Sequence, residues 1–337
     1  MSFLSNGRWW SLAGNDPAQV VPSLAERVTG GLWGLLIGDA LGVPYEFAPA
    51  KRIPERKRIE MDPPVEFLRS HWGVKPGTWS DDGAQALCLL ASLLERGEVD
   101  PHDLMDRIAR WYRDGYFAVD RDVFDVGLQT TQSITAFLRG VPAISTGRPD
   151  EMGNGNGSLM RVMPLALWHT GSDEDLVAQA RLQSRPTHAH ARSELCCALV
   201  CLWARRLMAN SDHAWMEAVE ILESLVPPGS ADRHELDTAV RPREDLPAKG
   251  SGYVVDTLHS VRLAMRERTF EDVVRAAVAL GNDTDTTACV AGGVAGVKFG
   301  IQGVPRRWHK VLRGKEMVEP LLATLLERIA RAESGKS

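Results

Sequence analysis

The chain has 337 residues, 44% of them hydrophobic and 25% charged, the composition of an ordinary globular protein. A net charge of -5 excludes a general electrostatic pull toward nucleic acid or membrane, and no stretch approaches the ~18 uninterrupted apolar residues of a membrane span. The five cysteines are odd in number and lack zinc-type spacing, and no basic-then-apolar leader opens the sequence, so reduced buried thiols in a cytoplasmic protein are expected.

Residues 1–22 read as irregular, because Asn6-Gly7, Gly14 to Pro17 and Pro22 interrupt any period. Trp9 and Trp10 offer a contact for docking this arm on the body. Residues 23–42 then read as a helix in which Gly30, Gly31, Gly34, Gly38 and Gly42 let a neighbouring helix approach closely. Further helices are predicted at 83–97, 101–114, 122–139, 158–168, 173–182, 191–209, 213–225, 253–267, 270–280, 286–299 and 316–333. They rest on apolar spacings of three and four, as in Leu104, Ile108, Trp111 and Tyr112. Asp103 and Asp272 fall in first turns, and Gly140 and Gly281 follow last ones. No alternating β-branched run is bounded by a hairpin turn, so the fold class is all-α. Two Pro-containing polar segments, 43–76 and 227–252, are long for plain connections and read as lids, insertions or disordered chain. The organisation is an arm at 1–24, then one helical domain at 25–334, with a monomer as the expected state.

Chemistry concentrates in two acidic clusters about two hundred residues apart, Gly77 to Gly83 (with Ser80, Asp81 and Asp82) and Gly281 to Thr287 (with Asp283, Asp285 and Thr286). Each sits where a loop hands over to an apolar helix. Carboxylate and hydroxyl oxygens suit hard divalent cations, and the absence of His or Cys beside them disfavours zinc. Each cluster also has a plain reading, as a helix cap or a turn. Four other segments stand out. Gly153 to Arg161 offers free backbone N–H groups ahead of a predicted helix, an anion cradle or a simple loop. Glu46 leaves the glycine-rich helix beside Tyr45. Thr187-His188-Ala189-His190 suits hydrogen bonding better than metal ligation. Gly252-Tyr253 opens a helix after the second long segment, with Tyr253 as core residue or stacking platform. The basic run Lys51, Arg52, Arg56, Lys57, Arg58 reads as a solvated face, or as an approach for an acidic protein or nucleic acid.

In this order over residues ~25–315, the segments resemble the ADP-ribosylglycohydrolase family: Gly34 to Gly42 with Glu46, Thr78 to Asp82, Gly155 to Arg161, Thr187-His188, Gly252 to Leu258 and Asp283 to Thr286. The resemblance implies a compact multi-helix fold with a central cleft holding two Mg²⁺ or Mn²⁺ ions. By matching positions, Ser80, Asp81, Asp82, Asp283, Asp285 and Thr286 would be metal ligands. Glu46 and Asp82 would be catalytic. Gly155, Asn156, Gly157, Ser158, Met160, His188, Gly252 and Tyr253 would bind substrate, the ADP-ribose moiety of a modified macromolecule. The activity implied is hydrolysis at C1″ of ADP-ribose, freeing it from arginine or serine of a protein. A non-catalytic ADP-ribose binder, hydrolysis of nucleic-acid or small-molecule conjugates, and a structural use of the scaffold are the alternatives. The chain departs from the family at Gly153, where some relatives carry an acid, and at Gly83, Asn282 and Ala191.

Overall fold

The computed structural model describes residues 21–334, so most of the arm at 1–24, with Trp9 and Trp10, lies outside the described residues. Among these residues there are fourteen α-helices and no sheet, only isolated bridges. In chain order they are α1 (Leu24–Gly42), α2 (Asp81–Arg96), α3 (Pro101–Asp114), α4 (Leu128–Leu138), α5 (Met163–Trp168), α6 (Asp173–Ser184), α7 (Ala191–Met208), α8 (Ala214–Leu225), α9 (Ala231–Glu235), α10 (Val254–Ala264), α11 (Phe270–Val278), α12 (Thr284–Gly303), α13 (Arg306–Val311) and α14 (Lys315–Ser334).

Local signals set most boundaries. Ser23 and Glu26 form a reciprocal capping box on α1, with the Ser23 N–H donating to Glu26 Oε2 at 2.8 Å. Asp100 caps α3 ahead of Pro101, and Gly97 and Gly115 end α2 and α3 in the left-handed conformation. Two helices begin later than their apolar spacing predicts. α4 starts at Leu128 rather than 122, because Asp125 is left-handed (φ 55°) and cannot continue a helix. α5 starts at Met163 rather than 158, since residues 157–161 form turns before Pro164 seeds the helix. Conversely, segment 227–252 holds α9 and a π-helical turn, Leu236–Val240, and segment 43–76 holds three short 3₁₀ turns.

α1 and α12 form the centre. Both are buried nearly all round, so neither has a solvent face to display amphipathically. Their crossing is close enough that a Cβ on Gly38 would lie 2.0 Å from the Ala288 carbonyl oxygen, and one on Gly42 would lie 2.4 Å from Asp285 Cα. The glycines expected to admit a neighbouring helix do so, and the neighbour is α12. This contact brings the C-terminal end of α1 against the N-terminal end of α12. α2, α5, α7, α10 and α11 pack around that pair, and all five cysteines are free and buried. No described helix is long and apolar enough to cross a membrane.

Candidate metal centre

Three helix ends converge. Asp39, in the last turn of α1, accepts hydrogen bonds from the Ser80 N–H (2.9 Å) and the Gly83 N–H (2.8 Å), and so anchors the start of α2. Ser80 caps α2 by accepting from the Asp82 N–H. Thr286, in the first turn of α12, donates to Asp82 Oδ1 at 3.2 Å, and Thr284 donates to the Gly42 carbonyl at 2.8 Å. The two acidic clusters therefore meet, although some two hundred residues separate them.

Asp39, Asp82 and Asp285 offer carboxylate oxygens within 4.8 Å of one another, and so do Glu46, Asp283 and Asp285. Asp285 belongs to both groups. Asp81 belongs to neither: its Oδ2 accepts from Gln85, whose Oε1 is held by Arg161. Asp39, Glu46, Asp81, Asp82 and Asp285 are buried, and no ion pair among the described residues neutralises any of them except Glu46, which faces His71. Burial first, and then the neighbouring carboxylates, push Asp81, Asp82 and Asp285 well above the usual carboxylate range. Asp39 is pushed up to about 7 and Glu46 to about 10, by burial before all else.

Both oxygens of Asp285 and Oδ2 of Asp82 are buried without a hydrogen-bond partner. Uncompensated buried carboxylates are expensive, and a divalent cation is the natural partner for an all-oxygen set such as this. The donor chemistry and the orphaned oxygens fit a hard divalent cation.

One flank of the carboxylates is the glycine turn. Asn156 donates from Nδ2 to Asp283 Oδ2 (2.9 Å) and to Thr257 Oγ1 (3.0 Å), while its N–H donates to the Gly252 carbonyl (3.1 Å). Gly155 pairs with Tyr253, which is 39% exposed at the start of α10. The His188 ring is buried against the turn; a Cβ on Gly157 would lie 2.7 Å from its Cε1. Burial, with Arg161 adding to it, lowers His188 to about 3, so its ring is neutral. The amides of Gly157 and Ser158 have no acceptor among the described residues. The expected helix N-terminus is not behind them, so any anion here meets turn amides rather than a helix dipole. Two of the expected substrate residues turn their side chains inward. The Ser158 hydroxyl is fully buried with Ser184 and Cys197, and the Met160 side chain belongs to the hydrophobic core.

A further group of residues at Glu46 was not visible in the sequence. His71, from segment 43–76, sits 2.6 Å by Nε2 from Glu46 Oε2. Asp125, from the loop before α4, completes a trio with Glu46 and His71 whose oxygen and nitrogen atoms lie within 4.8 Å of one another. Ser70 clasps the same stretch, its N–H donating to the Pro44 carbonyl (2.9 Å) and its hydroxyl to the Glu46 carbonyl. Phe47, His71 and Asp125 all have left-handed backbones, at φ 61°, 48° and 55°. Each such residue costs on the order of 1–2 kcal/mol, which the surroundings must offset. Gly153, where an acid was missed, has no room for one: its Cβ would lie 2.4 Å from the Arg148 carbonyl oxygen. Asp150 and Glu151 turn away to Arg148 and Arg192. In the basic run, Arg56 pairs with Glu267 (2.6 Å), Lys57 with Glu55 (3.1 Å) and Arg58 with Glu66, while Lys51 and Arg52 have no ion-pair partner among the described residues.

Comparison with known proteins gives this arrangement its relatives. Residues 21–335 match the family model described as ADP-ribosylglycohydrolase. The chain is 28% identical over 316 residues to an ADP-ribosylarginine hydrolase of Pseudomonas putida (strain GB-1), covering 91% of this chain and 80% of that one. It is 29% identical over 294 residues to the ADP-ribosyl-dinitrogen reductase glycohydrolase of Rhodospirillum rubrum, covering 85% and 90%. A solved structure described as an ADP-ribosylglycohydrolase-related protein complex superposes with a TM-score of 0.71 at 32% identity, covering 91% of this chain and 99% of the other. This chain belongs to the ADP-ribosylglycohydrolase family.

Proposed function

We propose that the protein is a metal-dependent hydrolase that cleaves the glycosidic bond at C1″ of ADP-ribose and releases ADP-ribose from a modified macromolecule. The observation that carries this reading is the set of buried, uncompensated carboxylates where α1, α2 and α12 meet, opening beside a glycine turn with two free amides. Ser80, Asp81, Asp82, Asp283, Asp285 and Thr286 are the proposed ligands, with Asp39 fixing α2 behind them. Two Mg²⁺ or Mn²⁺ ions bound there would supply Lewis-acid charge that orients the ribose hydroxyls and acidifies a water.

The remaining work falls to the chain. The amides of Gly157 and Ser158 face the diphosphate, His188 supports the turn as a neutral ring, and Tyr253 offers its exposed face to the adenosine half. Asn156 couples this turn to the centre through Asp283. In the reaction a water oxygen bonds to C1″, the bond from C1″ to the linking atom breaks, and the water's proton passes to the leaving group. Positive charge develops on the sugar as the bond breaks. Glu46, held by His71 and Ser70, and Asp82 are the proposed carboxylates that face that charge and handle the proton. The test is release of ADP-ribose from modified protein and nucleic-acid substrates, with Mg²⁺, with Mn²⁺ and with chelator. Metal-dependent release is expected; no release from any of them refutes the reading.

A further inference from the structure

We propose that Gln129 is a removable stopper on the glycine turn: its carboxamide oxygen holds the Gly155 amide in the empty site, and a diphosphate oxygen of ADP-ribose displaces it. This rests on the hydrolase reading and adds a specificity-determining residue to the same cleft.

The sequence groups Gly155, Gly157 and Ser158 as one set of substrate contacts, and the structure separates them. The amides of Gly157 and Ser158 have no acceptor among the described residues. The Asn156 N–H between them and Gly155 is spent on the Gly252 carbonyl at 3.1 Å. The Gly155 N–H is also occupied, but by a side chain: it donates to Gln129 Oε1 at 3.2 Å. One amide of the anion cradle is thus covered by a group that can leave.

Gln129 stands in the first turn of α4 and is half-buried. Its Nε2 donates to the Met152 carbonyl at 3.1 Å, so both ends of the carboxamide are held by the stretch that leads into the turn. These partners fix which end is which, since an N–H needs an oxygen opposite it and a carbonyl needs a nitrogen. The fit is close. A Cβ on Gly155 would lie 2.5 Å from Gln129 Oε1 and 3.2 Å from His188 Nε2, so the carboxamide reaches the turn only because residue 155 is glycine.

The exchange is favoured by the strengths of the two bonds. A neutral carboxamide at 3.2 Å is at the long end of the N–H···O range. A diphosphate oxygen carries charge, and charge-assisted hydrogen bonds are shorter and roughly twice as strong. The open amides of Gly157 and Ser158 bring the anion to the turn, and Gly155 lies within the same few residues. Retreat of Gln129 needs only rotation of its own side chain, and it strands no charge. On product release the carboxamide returns, so the amide is not left without an acceptor. A glutamate at this place would keep the acceptor and add a charge of the diphosphate's own sign.

Binding of ADP-ribose to the full-length protein in Mn²⁺ buffer is measured by titration calorimetry, with adenosine as the ligand that lacks phosphate. Gln129→Ala and Gln129→Met both remove the competing oxygen, and Met keeps the length of the side chain. Both are expected to bind ADP-ribose about two- to tenfold more tightly than the wild type. Gln129→Glu is expected to bind it about tenfold more weakly. Affinity for adenosine is expected to be the same in all four proteins. A side chain that merely braces the turn would give the opposite sign, with Ala and Met weakening ADP-ribose binding, and that result overturns the proposal. So does a Gln129→Glu variant that binds as tightly as the wild type, or an equal shift for adenosine. A wild type that neither binds ADP-ribose nor releases it from any substrate refutes the hydrolase reading instead.

Discussion

Asp285→Asn separates what the acidic centre does for function from what it does to the fold. Both Asp285 oxygens are buried without a partner, and Asp39, Asp82, Glu46 and Asp283 offer oxygens within 4.8 Å in the two groups that Asp285 shares. Two unit charges at that separation repel by about 3 kcal/mol at an effective dielectric constant near 20. Protonation limits how much of this repulsion the metal-free protein carries. Its carboxylates are raised above their unfolded values, so the folded state holds protons that the unfolded chain releases. Stability contributed by these groups is therefore present at low pH. It falls as pH climbs from about 4 toward the folded values, near 7 for Asp39 and near 10 for Glu46, by up to about 1.4 kcal/mol per pH unit per group. Asparagine removes one charge at nearly constant volume and adds an N–H donor. In chelator at pH 8, Asp285→Asn should be more stable than the wild type by about 2–4 kcal/mol. At this chain length that is about 3–6 °C in Tm. A divalent cation at about a hundred times its Kd should stabilise the wild type by roughly 2.7 kcal/mol and the variant far less. The assay is thermal melting from pH 5 to 9, with chelator and with Mn²⁺. A variant that melts below the wild type in chelator, or gains as much from Mn²⁺, refutes the reasoning.

Two further perturbations test the scaffold and the coupling. Gly38→Ala places a methyl group against the Ala288 backbone, which cannot yield as a side chain would, so a loss of about 3 kcal/mol or more is expected in urea unfolding. A loss under about 1 kcal/mol would show that α1 and α12 can separate cheaply. Asn156→Ala removes one bond to Asp283 and one to Thr257. A hydrogen bond to a charged group is worth about 1.5–3 kcal/mol, so kcat/KM for ADP-ribose release should drop roughly ten- to hundredfold with little change in Tm.

The parts of this molecule that were legible in its sequence are those encoded by neighbours along the chain. Helices show themselves through spacings of three and four, and the glycines of α1 announce a close partner. The first acidic cluster carries its own cap, Ser80, and the second runs straight into the apolar stretch of α12, so that both could be recognised as helix entrances. What the sequence hid depends on distant contacts. His71 and Asp125 are single polar residues in irregular stretches, and only folding brings them to Glu46. Their left-handed backbones leave no compositional trace, because neither is glycine. Met160 and Ser158 lie inside a recognisable motif, yet motif membership does not say which way a side chain points, and both are buried. The early start assigned to α4 has the same origin, since apolar residues 123, 124 and 126 mimic a helical face across a turn that Asp125 breaks. Asp39 was likewise inconspicuous: a lone acid in an apolar helix, it proves to be the acceptor for the first amides of α2.

The most direct measurement is anomalous diffraction from crystals of the protein soaked in Mn²⁺. Two peaks are expected within the acidic centre formed by Ser80, Asp81, Asp82, Asp283, Asp285 and Thr286. A well-ordered centre without anomalous density at millimolar Mn²⁺, or manganese bound only at other surfaces, would contradict the account.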